Sequence, residues 1–288
     1  MALTAQNLVG YLRAEFDKAA KRRVWLFFIQ LTIALPAAIS VVVTDAIWTY
    51  ALAIFGAAIL IIWWALNASY MAARNAAHSA RRAALLAGGL ENAYSPNEIL
   101  SLKSRLTVSE VTASKFEKSD YYATKQDAGP KKLGEMLEES AFYSADLQRA
   151  SATAMLVIVG MFTAIAAITA LAALPFADNN NLLLIVRIGL AVLVFVMSSD
   201  VLGAYIAHKG AARAIEEVKA RLVAADRSGY PLSDVLLAMV DYNAAVESAP
   251  ESVPFAYRFS EKDLNQRWAE YQRDRETARA GVKTKLLG

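Results

Sequence analysis

Residues 24–44 (VWLFFIQLTIALPAAISVVVT) run for 21 positions without a charge, and after the single Asp45 a second uncharged run covers 46–73. A helix needs about 20 mostly apolar residues to cross the hydrocarbon of a bilayer. Within lipid, only a helix or a closed barrel satisfies its own backbone. Two further apolar runs, 151–174 and 182–207, flank the short loop PFADNNN. The pattern predicts an all-α integral membrane protein with four transmembrane helices in two hairpins. Residues 1–23 precede the first hairpin (24–73), 74–150 separate it from the second (151–207), and 208–288 follow.

Composition agrees with this class. Hydrophobic residues make up 56% of the 288 and the mean hydropathy is +0.31, against roughly 45–50% apolar in soluble domains. Lys and Arg number 5 before the first span, 11 in residues 74–150 and 13 in 208–288, and the hairpin tips at 45 and 175–181 have none. Loops rich in Lys and Arg stay cytoplasmic. Both termini and the middle segment are therefore expected in the cytoplasm. Trp48 and Tyr50 fall at the outer interface, and Trp25, Trp63, Trp64 and Tyr205 at the inner one. The long leader and the immediate second span argue against reading 24–44 as a cleaved signal sequence.

The polar segments read as helices that extend the spans into a cytoplasmic bundle. In residues 1–23, Leu8, Val9, Leu12, Phe16 and Ala19 lie opposite Arg13, Asp17 and Lys21, which predicts an amphipathic helix on the inner membrane surface. The second span continues through RNAAHSARRAALLA until Gly88 and Gly89, expected to stop it. Ser95, Pro96 and Glu98 form an N-cap signature. Residues 107–129 have turn composition, and a helix from Pro130 feeds the third span. Span four runs on to the GYP at 229–231. An amphipathic helix follows, then the linker APESVPFAYRF, then a charged helix with Leu264, Trp268 and Tyr271 on one face.

Catalytic signatures are missing: the sequence has no glycine-rich phosphate loop, HExxH or GxSxG. There is no cysteine, and His78 and His208 are the only histidines. Neither an enzyme, a cofactor nor a metal is expected. A net charge of +3 without a basic block gives no footprint for a nucleic acid polymer. Glu135, Glu138 and Glu139 share a helix face beside Lys131 and Lys132, and read as a solvated charged face. Tyr121 and Tyr122 next to Lys125 have two readings: stacking on a nucleotide with Lys125, Lys131 and Lys132 supplying charge, or simple packing into the bundle.

Within the spans, Thr32, Pro36, Ser40 and Thr44 recur every four residues, with Gln30 nearby. This polar row suits either packing within one chain or a wall between chains of a homo-oligomer. The pairs Ala53/Ala57, Gly160/Ala164 and Thr163/Ala167 permit close helix contact, with packing within the chain favoured over a wall between chains of an oligomer. Arg187 lies about 7.5 Å inside the outer end of span four, within snorkelling reach. Asp200 lies about 12 Å from the inner end, beside Ser199, and its short acid must face protein or water. Asp200 is the foremost candidate for a pore-lining or gating group, with Arg187, Ser199, Gln30, Thr32, Pro36 and Ser40 behind it.

Three features together carry a resemblance. They are the two hairpins around a middle segment, the stretch SDYYATK…GPKKLGEMLEESAFYSADLQ, and DYNAAVESAPESVPFAYRFSEKDLNQRW. They resemble the four-transmembrane pore-forming effectors associated with bacterial SMODS-type nucleotide-signalling defence systems, over about residues 10 to 275. The resemblance implies a protein of the bacterial inner membrane, silent until a cyclic nucleotide or similar signal, or a signalling-protein partner, makes it oligomerise or open. It would then permeabilise the membrane in antiviral defence by abortive infection. It carries over no residue-level binding site. A membrane scaffold recruiting a cytoplasmic partner and a small transporter are the competing expectations, the latter weakened by having only Pro36 as a helix break.

Overall fold

The computed structural model describes residues 3–40, 45–91, 94–173, 201–253 and 256–287. These are all-helical: α1 (Ala5–Ser40), α2 (Ala46–Leu90), α3 (Pro96–Arg105), α4 (Glu110–Ser114), α5 (Pro130–Ala173), α6 (Leu202–Arg227), α7 (Leu232–Ser248) and α8 (Ala256–Leu287). No strand occurs among the described residues. Of the fourth apolar run, only 201–207 are described.

Among the described residues, two helices are long and apolar enough to cross a membrane, α2 and the Pro130–Ala164 part of α5. At 1.5 Å per residue the 45 residues of α2 reach about 67 Å, twice the roughly 30 Å of hydrocarbon. Half of α2 must therefore lie outside any bilayer, and burial shows which half. None of its most apolar window is buried, and its buried residues begin at Tyr70 and run to Gly89. The other helices change at the same level. Among the described side chains, the last buried one is Leu26 on α1 and Ala152 on α5, and Val201 is buried just before α6. Beyond that level the surface is apolar and exposed, with Phe28, Trp48, Ile61, Trp64, Val157 and Leu171 all more than half exposed. A core helix of a soluble protein would bury these side chains; here they face outward.

Below the level lies a packed base. Leu133, Leu137, Ile215, Leu222, Val235 and Tyr242 form one core across α5, α6 and α7, and each fully buried side chain contributes about 1.5–3 kcal/mol. A second set of contacts joins Leu8, Val9, Ala83, Ala84 and Leu102 across α1, α2 and α3. The apolar stripe of residues 1–23 is thus no membrane-surface helix. α1 is continuous through Val24, and Leu8, Val9, Leu12 and Ala19 are buried against protein. The buried C-terminal half of α2 covers this stripe.

Several local signals explain the helix limits. Asp45 Oδ1 accepts from the Ile47 and Trp48 amides (2.9 and 3.2 Å) and caps α2. Ser95 Oγ accepts from Glu98 N (3.3 Å) at the start of α3, with Pro96 in the first turn. Gly88 and Gly89 do not end α2, which continues to Leu90 before Glu91 turns left-handed (φ 52°). The glycines serve a crossing instead: a Cβ on Gly89 would sit 2.8 Å from Leu133 Cα. At the α6 end, Gly229 and Tyr230 both have positive φ (76° and 55°). A tyrosine there is strained. Its buried ring lies where a Cβ on Gly134 would be, 2.5 Å from Cδ1.

Candidate functional site

The charged closing segment becomes α8, which lies antiparallel on α5. Leu264, Trp268, Tyr271, Arg275 and Arg279 fall on one helical face by their spacing. Leu264 and Trp268 are buried. Trp268 and Tyr271 stack (5.5 Å, 23°) and both reach the Phe142 ring of α5, at 5.1 and 5.4 Å. Tyr143 Oη donates to Asn265 Oδ1 at 2.8 Å.

Glu138 is the hub of this contact. Only 4% exposed, it accepts from Tyr271 Oη (2.5 Å), Tyr230 Oη (3.2 Å), Arg275 Nε (2.8 Å) and Arg275 Nη2 (3.1 Å). Arg275 also pairs with Asp226 of α6 (3.1 Å), and Arg279 with Asp226 (2.7 Å) and Glu135 (3.1 Å). α8 thereby holds α5 and α6 to one another. Burial works against charge on Arg279, but the Asp226 hydrogen bond together with the charges of Asp226, Tyr230 and Glu135 outweighs it and raises its pKa. Burial, and then the hydrogen bond to Glu138, raises the Tyr271 hydroxyl. The glutamates of GEMLEES are therefore not a solvated face; their partners come from α8 and from the segment before α5. Thr124 Oγ1 donates to Glu135 (2.6 Å) and the Ala123 amide to Glu139 (2.8 Å). Burial pushes Glu139 up to about 7, partly offset by Ala123 N–H and Lys118.

Between residues 123–126, α5 and α8 lies a cleft of about 210 Å³. Trp268, Tyr271, Arg275, Arg279 and Lys125 line it together with the three glutamates. Trp268 Nε1 is buried without a hydrogen-bond partner. The volume is below the roughly 300 Å³ at which ligand pockets begin, so a nucleotide-sized ligand enters only if α8 shifts. Among the described residues, no group of three or more His, Asp or Glu side chains is placed to hold a metal ion.

The other sequence candidates are dispersed. Tyr121 and Tyr122 meet edge to face at 4.9 Å; Tyr122 packs on the base core and neither lines the cleft. Lys131 is exposed, and Lys132 reaches Glu91 at 3.0 Å, tying the start of α5 to the end of α2. Gln30 and Thr32 lie on α1, where the Thr32 hydroxyl donates to its own helix at Phe28 O (2.8 Å). Pro36 and Ser40 lie in the last turns of α1, with side chains outside the described set. Thr44, Arg187, Ser199 and Asp200 lie outside the described residues. Ala53, Ala57, Gly160, Thr163, Ala164 and Ala167 are outward rather than packed within the chain, and a Cβ on Gly56 or Gly160 would meet nothing within 4 Å. Sequence reasoning misread Glu138 as solvated and missed Arg275 and Arg279; the last two continue the Trp268/Tyr271 face, which was the available signal.

No protein-family model matches this chain, and neither a curated protein nor a solved structure does.

Proposed function

We propose that the chain is a four-span effector of the bacterial inner membrane that permeabilises it as a homo-oligomer, with base and termini in the cytoplasm. The carrying observation is the division at one level between a packed base and apolar helix ends with exposed small-residue faces. Lipid has no hydrophobic preference for one helix over another, so small-residue faces are where helices of separate copies pack. By sequence Asp200 falls in the fourth apolar run, and an acid within a membrane is tolerated only against protein or water.

A nucleotide-type signal acts at the cleft under α8. Trp268 and Tyr271 offer aromatic surface, and Arg275 and Arg279 offer guanidinium forks suited to phosphate. In the resting chain carboxylates occupy both arginines. A phosphate-bearing ligand competes for them and displaces α8. The test is membrane potential in bacteria producing the full chain, the Glu138→Ala variant that frees α8, and the same variant with Asp200→Ala. Depolarisation by Glu138→Ala, suppressed by Asp200→Ala, is expected. Full polarisation with all three would refute the reading and leave a scaffold that recruits a cytoplasmic partner.

A further inference from the structure

The segment between α7 and α8 crosses the level at which the helices leave the base. Arg74 of α2 donates through Nη2 to the carbonyls of Glu247 (2.6 Å) and Ala249 (2.5 Å), and its Nε lies 3.4 Å from Glu251. Those carbonyls close α7, where a cation meets the negative end of the helix dipole. Four residues on, the Val253 amide donates to Ser151 Oγ of α5 at 3.0 Å. Ser151 is fully buried, and its hydroxyl donates back to Leu147 O at 2.7 Å. One short segment is thus fixed to the first hairpin at Arg74 and to the second at Ser151. Arg22 and Arg23 of α1, bonded to Ser69 O (2.6 Å) and Tyr70 Oη (3.5 Å), and His208 on Gln148 (2.5 Å) complete a polar layer here.

The layer is tight but poorly satisfied. Arg74 and Glu251 side chains are 11% and 10% exposed, yet Arg74 Nε meets Glu251 only at a loose 3.4 Å and makes no hydrogen bond, leaving the carboxylate the Tyr70 hydroxyl beside it. Burial raises the Glu251 carboxyl above its ordinary range, against the nearby Tyr70 and Arg74. A buried ion pair of this quality contributes little to stability, since desolvation offsets the attraction. Its effect is positional, and it holds only while the segment stays in place. The segment also leads directly into α8, the helix that Glu138 docks.

We propose that residues 249–253 form a strap beneath the two hairpins that keeps the inner mouth shut, with Arg74 as its positioning residue, and that undocking of α8 withdraws it. The proposal rests on the reading of the chain as a pore former. The chain lacks cysteine, so a Ser151→Cys/Val253→Cys pair can pin the strap. The assay is carboxyfluorescein release from phosphatidylethanolamine/phosphatidylglycerol vesicles holding the full chain. Arg74→Ala leaks at least tenfold faster than the parent. Adding the cysteine pair and oxidising it restores silence, and reducing it restores the leak. Equal release from oxidised and reduced protein overturns the strap as a gate. If no variant releases dye, the pore reading fails, and the strap itself is judged by maleimide labelling of single Val253→Cys. Arg74→Ala then raises the labelling rate at least tenfold; an equal rate overturns the strap as well.

Discussion

Replacing Glu138 by alanine removes one carboxylate that accepts four hydrogen bonds in a pocket 4% exposed. Breaking a buried ion pair from one side costs about 3–5 kcal/mol, because the remaining charge stays buried. Arg275 keeps Asp226 at 3.1 Å, which places the expected loss at the lower end, about 3 kcal/mol. At 1.36 kcal/mol per decade that is on the order of a hundredfold in the docking equilibrium of α8. Backbone hydrogen exchange in nanodiscs measures it directly. Amides of residues 264–279 are expected to exchange about a hundredfold faster, while those of residues 73–85 on α2 are unchanged. Glu138→Gln, which keeps acceptors for the tyrosines but not the charge, falls between. Exchange in 264–279 within about threefold of the parent would refute the idea that this carboxylate docks α8.

Three further outcomes follow from the base. Glu15 is fully buried and holds Thr107 N (2.5 Å), Thr107 Oγ1 (2.6 Å) and Val108 N (2.9 Å); Glu15→Ala should cost about 2–3 kcal/mol, seen as a lower denaturation midpoint and faster proteolysis of residues 106–118. Gly134→Ala puts a Cβ 2.5 Å from the Tyr230 ring and should cost about 1–3 kcal/mol as overpacking, whereas Gly210→Ala, with nothing within 4 Å, should be neutral or stabilising in thermal melts. His208 is fully buried, and burial, with Arg23 nearby, lowers its pKa to about 4. The unfolded chain then binds a proton first, so stability is full above about pH 6.5 and is lost as pH falls towards 4. Melts from pH 7 to 4 should show a loss of about 3 kcal/mol that His208→Gln abolishes.

What the sequence made legible was local. Ser95 and Pro96 marked the start of α3 because capping chemistry lies within four residues. The uncharged runs announced themselves because lipid demands a length. The misreadings share one cause: a periodicity shows that a face is covered, not by what. The stripe of Leu8, Leu12 and Ala19 has the same pattern whether lipid or α2 covers it. Glu138 read as solvated because its arginine lies 137 residues away. Gly88 and Gly89 look like a helix stop, but their smallness serves the crossing with Leu133. The cleft joins two helices and a loop segment, the strap three helices, and no spacing within one segment encodes that.

Planar-bilayer recording tests the central claim most directly. Purified full-length chain with Glu138→Ala, added to a bilayer of phosphatidylethanolamine and phosphatidylglycerol, should give stepwise unitary currents that the Asp200→Ala change suppresses. A bilayer that stays electrically silent, with the protein shown to be inserted and folded, would contradict the account.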